Sequence, residues 1–120
     1  MTRYEVRISA SSFVPRNSYF VPCIMSIQEF TATLSQSTPP TQVSPLLQAL
    51  WYDAKDQWDD AHNLAQDVHS NDGSWVHAYL HRKEGDPGNA SYWYHRAGKP
   101  VSQKSLRDEW TEIVTALLKH

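Results

Sequence analysis

Two segments in the middle of the chain repeat one another at a spacing of 29 residues. Residues 49–51 (Ala-Leu-Trp) align with residues 78–80 (Ala-Tyr-Leu), and both copies carry a second alanine twelve positions later. The four recurring small residues are Ala49, Ala61, Ala78 and Ala90. Small residues at this spacing let two antiparallel helices approach closely, and repeats of this kind of period form stacked helix hairpins. The repeat therefore predicts a fold of paired α-helices.

Helix start and stop signals divide the chain into six predicted helices. Ser44-Pro45 and Asp86-Pro87 each place a capping side chain before a proline at the first helical position. Gly85 and Gly98 follow helical patterns and are typical C-terminal caps. The predicted helices cover residues 27–36, 45–55, 57–68, 74–84, 87–97 and 105–118. We expect an all-α fold of two stacked hairpins. A short N-terminal helix precedes the hairpins, and the C-terminal helix caps them.

Three further N-terminal caps follow from the same rules. Ser26 and Glu29 form the S-x-x-E pattern of a capping box before the first predicted helix. Asp72, within the turn cluster His69-Ser70-Asn71-Asp72-Gly73, is the predicted N-cap of the fourth helix. Ser105 is the predicted N-cap of the last helix.

The composition of the 120-residue chain predicts one helical domain with an N-terminal extension. Residues 1–24 show no sustained period and contain Pro15 and Pro22, so we expect an irregular or disordered extension there. Residues 25–44 predict a short helix plus a Pro-rich linker, and residues 45–120 predict the helical-repeat domain. The segment MSIQEF from Met25 is typical of a protein start, which suggests the hypothesis that translation begins at Met25.

The charge and cysteine content argue against several classes of protein. The formal net charge is −2 and no basic run occurs, whereas proteins that coat nucleic acid carry a clustered basic surface. Cys23 is the single cysteine, which excludes a disulfide within one chain. No apolar stretch approaches the roughly 18 residues that a membrane span needs. We expect a cytoplasmic protein without a nucleic-acid or membrane partner.

The repeat resembles the tetratricopeptide and Sel1-like helical repeats over residues 45–100. In the second copy the small, small, aromatic and small positions of a tetratricopeptide unit hold Ala78, Ala90, Tyr94 and Ala97. Residues 93–97 (WYHRA) are similar to the second helix of a Sel1 unit. The period of 29 is shorter than the tetratricopeptide period of about 34 residues. Residues 75–98 also resemble a stretch of an uncharacterised microbial protein family.

The resemblance implies that the first helix of each unit faces a concave binding groove. In the second copy the groove-facing positions hold Trp75, Tyr79, Arg82 and Lys83. Aromatic rings accommodate apolar groups, and the two cations bind carboxylate or phosphate. We therefore expect a non-enzymatic module, without catalytic residues or cofactor, that binds a protein or peptide segment or a small anionic ligand. A homodimer, and an alternative in which the two aromatic residues belong to the core, stay open.

A second set of residues carries an alternative function. His77, His81 and Glu84 share one face of the predicted fourth helix, and His62 and Asp60 are the nearest further candidate ligands. Two histidines one turn apart can bind one metal ion, as in HExxH helices. Ala78 occupies the position where that motif requires glutamate, so we expect no metal site. We expect His77 and His81 to lie where the helices of a pair meet and to form hydrogen bonds with tyrosine or backbone groups. The alternative is an enzyme or metal-binding protein that uses His62, His77, His81 and Glu84.

Overall fold

The computed structural model describes residues 25–119, and this part of the chain contains six α-helices and no β-strand. A turn of 3-10 helix, Thr33–Ser35, continues the first helix. The helices are α1 (Ile27–Ala32), α2 (Pro45–Ala54), α3 (Trp58–Gln66), α4 (Asn71–Glu84), α5 (Pro87–Ala97) and α6 (Leu106–Leu118). The all-α prediction is confirmed. The predictions for residues 1–24 lie outside the described residues.

Local capping chemistry explains where most of these helices begin and end. The Ser26 amide donates to Glu29 Oε1 at 2.8 Å while the Glu29 amide donates to Ser26 Oγ at 3.0 Å, which confirms the capping box. Ser44, Asp86 and Ser105 cap α2, α5 and α6 as predicted. Gly85 and Gly98 end α4 and α5 in the left-handed region, with φ angles of 90° and 72°. Glycine adopts this region without the penalty that a Cβ imposes.

The start of α4 differs from the prediction. The helix begins at Asn71, three residues earlier than expected, and the prediction that Asp72 is its N-cap was wrong. Ser70 is the cap, because its Oγ accepts the Gly73 amide at 3.0 Å. Gly73 lies inside the first turn, where the carbonyl oxygen of Val68 approaches within 2.0 Å of the position a Cβ would take. The glycine is therefore needed because the first turn of α4 lies close to the backbone of Val68 in the preceding turn.

Two helix hairpins, α2–α3 and α4–α5, stack through the contact of α3 with α4. The four repeated alanines lie at these seams and are almost completely buried: Ala49, Ala61, Ala78 and Ala90. Their small side chains permit the close approach of the helices, as the repeat predicts. The prediction of two stacked hairpins is confirmed.

The remaining two helices close the core. Helix α6 packs on α2 and α4, and α1 packs on α6. The Phe30 side chain of α1 is fully buried, with its ring centroid 6.0 Å from that of Trp110. Ile113 and Val114 of α6 are also fully buried. Within residues 25–119, no helix has the length and apolarity needed to cross a membrane.

Candidate functional site

The two aromatic residues predicted for the binding groove lie in the core. Trp75 is 5% exposed and Tyr79 is 2% exposed. The Trp75 indole donates to Glu109 Oε2 at 3.3 Å, and the Tyr79 hydroxyl donates to Asp53 Oδ2 at 2.9 Å. Burial, followed by the charge of Asp53, raises the pKa of Tyr79. This arrangement corresponds to the alternative in which the aromatic residues of α4 belong to the core.

The two cations predicted for the groove are bound to the same buried carboxylates. Arg82 Nη1 donates to Glu109 Oε1 at 2.8 Å, and Lys83 Nζ donates to Asp53 Oδ1 at 2.9 Å. Each carboxylate thus accepts from one aromatic and one cationic side chain of α4. A ligand in this region would have to compete with these internal contacts. Binding by the four predicted groove residues stays a prediction.

Three histidines from two helices meet on the opposite side of α4. His62 comes from α3, and His77 and His81 lie one turn apart on α4. The Nε2 atoms of His62 and His77 are 3.0 Å apart, and one candidate ligand nitrogen from each of the three lies within 4.8 Å of the others. His77 and His81 are each 7% exposed. Three imidazoles this close form a potential metal site that joins the two hairpins.

Two tryptophans flank the histidine cluster. The Trp58 ring stacks on His62 with centroids 4.8 Å apart, and its indole N–H donates to the Leu80 carbonyl at 2.8 Å. The Trp93 ring stacks on His77 at 3.9 Å. These contacts restrict the orientation of the two imidazoles and shield them from solvent. Trp58 precedes His62 by one helical turn, so the contact between these two rings could be predicted from the sequence. The contact of Trp93 with His77 joins different helices and could not be predicted in this way.

Glu84 orients the third histidine. Its Oε2 atom lies 2.6 Å from His81 Nδ1. An ionised carboxylate only accepts hydrogen bonds, so Nδ1 carries a proton and Nε2 is the ring nitrogen that can serve as a metal ligand. Carboxylate–histidine pairs of this kind are the usual outer support of metal sites. The structure therefore brings all four residues of the metal-binding alternative together, with Glu84 supporting a ligand.

The electrostatic surroundings keep two of the histidines neutral. Burial, with the neighbouring His62 and His81, lowers the pKa of His77 to about 4. Burial and His81 also lower the pKa of His62, against the opposing charges of Glu84 and Asp59. Metal ions bind the neutral imidazole, so a lowered pKa removes proton competition near neutral pH. The lowered pKa values of His62 and His77 therefore favour the neutral imidazoles that metal binding requires.

The cluster fits a tetrahedral metal ion with three protein ligands. Zinc–nitrogen distances of 2.0–2.1 Å at a tetrahedral angle put ligand nitrogens about 3.3 Å apart. The Nε2 atoms of His62 and His77 are 3.0 Å apart, and no separation in the set exceeds 4.8 Å. Small rotations of the imidazoles would satisfy this geometry. Three ligands and one open position are typical of catalytic or exchangeable zinc sites, whereas structural sites are usually closed by four.

Two acids are buried in the core at positions that were not predicted to be buried. Asp53 and Glu109 are almost completely buried, at 1% and 0% exposure. The signal for Glu109 was its position on the apolar stripe of α6, three residues after Leu106 and four before Ile113. An acid on an apolar helix face needs a buried partner, and the partners of Glu109 come from α4 and α5: Trp75, Arg82 and Tyr94.

The fold and the cluster together define the chain as an all-α protein of two stacked hairpins with a histidine cluster at their junction. The chain has no significant match to a protein-family model, to a curated protein or to a solved structure. Membership of a tetratricopeptide or Sel1-like family therefore stays a prediction from the residues quoted above.

Proposed function

We propose that this protein binds a divalent transition-metal ion through His62, His77 and His81. The observation that carries the proposal is the convergence of three imidazoles, from α3 and α4, within ligand distance of one another. The lowered pKa of His77, the support of His81 by Glu84 and the flanking tryptophans all favour the same function. Imidazole ligands suit zinc, copper, nickel and iron, and zinc is the first ion to test.

The ion would connect the two hairpins. His62 belongs to the first hairpin, and His77 and His81 belong to the second. A ligand that binds the folded state and not the unfolded chain stabilises the fold by mass action. Metal binding would therefore stabilise the stacking of the hairpins, and the fourth coordination position would stay available for an exchangeable ligand.

The helical-repeat binding module is retained as a second prediction. The metal proposal ranks first because the polar atoms of Trp75, Arg82 and Lys83 already have internal partners, whereas the histidine cluster has the arrangement of an open site.

Isothermal titration of metal-free protein with zinc tests the proposal. The wild type is expected to bind one ion, and His62→Asn is expected to weaken binding by roughly a hundredfold or more because it removes one of three ligands. His95→Asn is the matched control, since His95 is exposed on α5 and lies outside the cluster. Absence of stoichiometric binding by folded wild type, or equal affinity in His62→Asn and wild type, would refute the proposal.

The supporting role of Glu84 gives a separate prediction. Glu84→Gln should weaken zinc binding by about tenfold or more, because the neutral amide no longer increases the basicity of His81. Glu112→Gln is the control, since Glu112 is a partly exposed acid on α6 whose partner is Lys104. The same titration measures both variants. Equal zinc affinities in the two would show that Glu84 has no part in the site.

A further inference from the structure

A cavity of about 310 Å³ adjoins the histidine cluster on the side of His77. The turn between α3 and α4, the first two turns of α4, and α5 form its walls. Its polar lining includes Gln66, Asn71, Ser74, His77 and Arg96. The volume lies at the lower end of the range for small-molecule pockets. The cavity can therefore hold a small polar molecule next to His77.

Two buried residues of the lining have polar atoms without a partner among the described residues. Ser74 is 8% exposed, and its Oγ forms no hydrogen bond within residues 25–119. His77 bonds in that part of the chain only through Nε2, so its Nδ1 is unpaired there. Buried polar atoms in native proteins nearly always have a partner, and those without one call for a ligand or water.

The lining is positively charged. Arg96 forms no ion pair within the part of the chain that the structure describes. Its Nη1 donates to the Tyr92 hydroxyl at 3.2 Å, and its guanidinium lies 5.4 Å from the centroid of Trp93. Among the described residues, no aspartate or glutamate lines the cavity. The N-terminus of the 14-residue helix α4 adds the positive end of its dipole.

Each of these three groups, on Arg96, Ser74 and His77, can donate a hydrogen bond. A guanidinium donates only, a serine hydroxyl donates readily, and Nδ1 of a neutral His77 carries the proton when Nε2 accepts a hydrogen bond or binds a metal ion. We propose that the cavity binds a small oxyanion, the carboxylate or phosphate group of a small molecule, through Arg96, Ser74 and His77. Arginine is suited to both groups because its planar fork matches their oxygens.

The oxyanion site does not depend on the metal site, although both use His77. With an ion on Nε2, the anion would accept from Nδ1 and take the position that a carboxylate occupies beside many metal-bound histidines. Without an ion, Arg96, Ser74 and the start of α4 still provide the donors. The two proposals can therefore fail separately.

Proton–nitrogen correlation spectra of the metal-free full chain provide the test. Inorganic phosphate and acetate are titrated separately, and sodium chloride at the same ionic strength supplies the reference. We expect saturable shifts of the amides of residues 70–77 and 93–96 beyond those caused by chloride. Whichever probe binds more tightly identifies the preferred oxyanion.

Two variants locate the site. Arg96→Gln should weaken oxyanion binding by roughly tenfold or more, because it removes a charge-assisted hydrogen bond. Arg107→Gln removes the same charge from an exposed position on α6 and should leave the affinity within about twofold. Ser74→Ala tests the buried hydroxyl, and it should weaken binding while the spectrum stays that of a folded protein.

The results decide the proposal in either direction. Saturable local shifts that Arg96→Gln abolishes and Arg107→Gln retains would support the oxyanion site. Shifts no larger than those with chloride, or equal losses in the two arginine variants, would overturn it. Zinc binding without oxyanion binding would support the metal site and overturn the oxyanion site. Oxyanion binding without zinc binding would support the oxyanion site and overturn the metal site.

Discussion

His77 has three different surroundings on three sides of one imidazole ring. Trp93 stacks on it at 3.9 Å, His62 lies 3.0 Å from its Nε2, and the cavity of the proposed oxyanion site adjoins it. A charged ring would lose favourable solvation in this position and would repel the neighbouring imidazoles on their protonation. Its environment thus favours the neutral ring, which is also the form that binds metal.

At the residue scale, this environment predicts a pH dependence of stability. The pKa of His77 is about 4 in the folded protein and 6.5 in the reference state, so between these values the unfolded chain binds more protons. The contribution of His77 to the free energy of unfolding is fully present above pH 6.5 and is lost as the pH falls toward 4. Over this interval the free energy of unfolding should decrease by about 3 kcal/mol. Urea unfolding of metal-free protein across this range measures it.

The matched variants for this measurement are His77→Asn and His95→Asn. His77→Asn should lose the steep part of the pH dependence, whereas His95→Asn should keep it because His95 is exposed. If His77→Asn and the wild type lost stability in parallel over this interval, the slope would have to come from other groups.

At the scale of single helices, the ends of α2, α5 and α6 follow from residues within four positions of each end. The start of α4 does not, because Ser70 competes with Asp72 for the cap and tertiary contact decides between them. The first turn of α4 lies so close to Val68 that only glycine fits at position 73. The same sequence segment without this contact would have offered two possible starts.

A pair of glycine substitutions tests this explanation. Gly73→Ala should lower the free energy of unfolding by roughly 1–3 kcal/mol, because its Cβ would lie 2.0 Å from the Val68 carbonyl oxygen. Gly88→Ala should raise it by about 0.5–1 kcal/mol, because Gly88 lies in α5 with nothing within 4 Å of a Cβ. Chemical denaturation measures both. If Gly73→Ala left the free energy of unfolding unchanged, the α3–α4 turn would have to shift easily enough to make room for the new Cβ.

At the scale of the whole molecule, buried polar contacts connect helices that are distant in sequence. Four of the five tryptophans donate their indole N–H to another element, including Trp110 to the Leu50 carbonyl at 2.9 Å and Trp51 to the Thr33 carbonyl at 3.2 Å. Glu109 connects α6 to α4 and α5 through three donors. These bonds define the position of α6, which apolar packing alone would leave less specific.

The carboxylate of Glu109 gives a prediction at this scale. Glu109→Gln should lower the free energy of unfolding by about 3 kcal/mol, because the fully buried Glu109 loses the charge that pairs with the partly buried Arg82. Glu112→Gln, in the same helix, breaks a partly exposed pair with Lys104 and should change stability by less than about 1 kcal/mol. Urea unfolding at neutral pH compares the two, and equal effects would contradict the role assigned to Glu109.

The helical class, the two hairpins and most helix ends could be predicted from the order of the residues alone. Most helix ends depend on local signals, such as the caps Ser44 and Asp86 and the two C-terminal glycines. The two hairpins follow from the 29-residue spacing of small residues. These signals act between residues close in the chain or in register with one another, so a pattern in the sequence records them directly.

The side chains that come together as a candidate site depend on the packing of the helices. The spacing of His77 and His81 was visible, but the third imidazole, His62, reaches them across the contact between the hairpins. In the same way, the aromatic residues of α4 face buried carboxylates because α2 and α6 pack against that side, which the helical period cannot specify. A period identifies the residues that share a face, whereas the partner that each face meets depends on packing between distant segments.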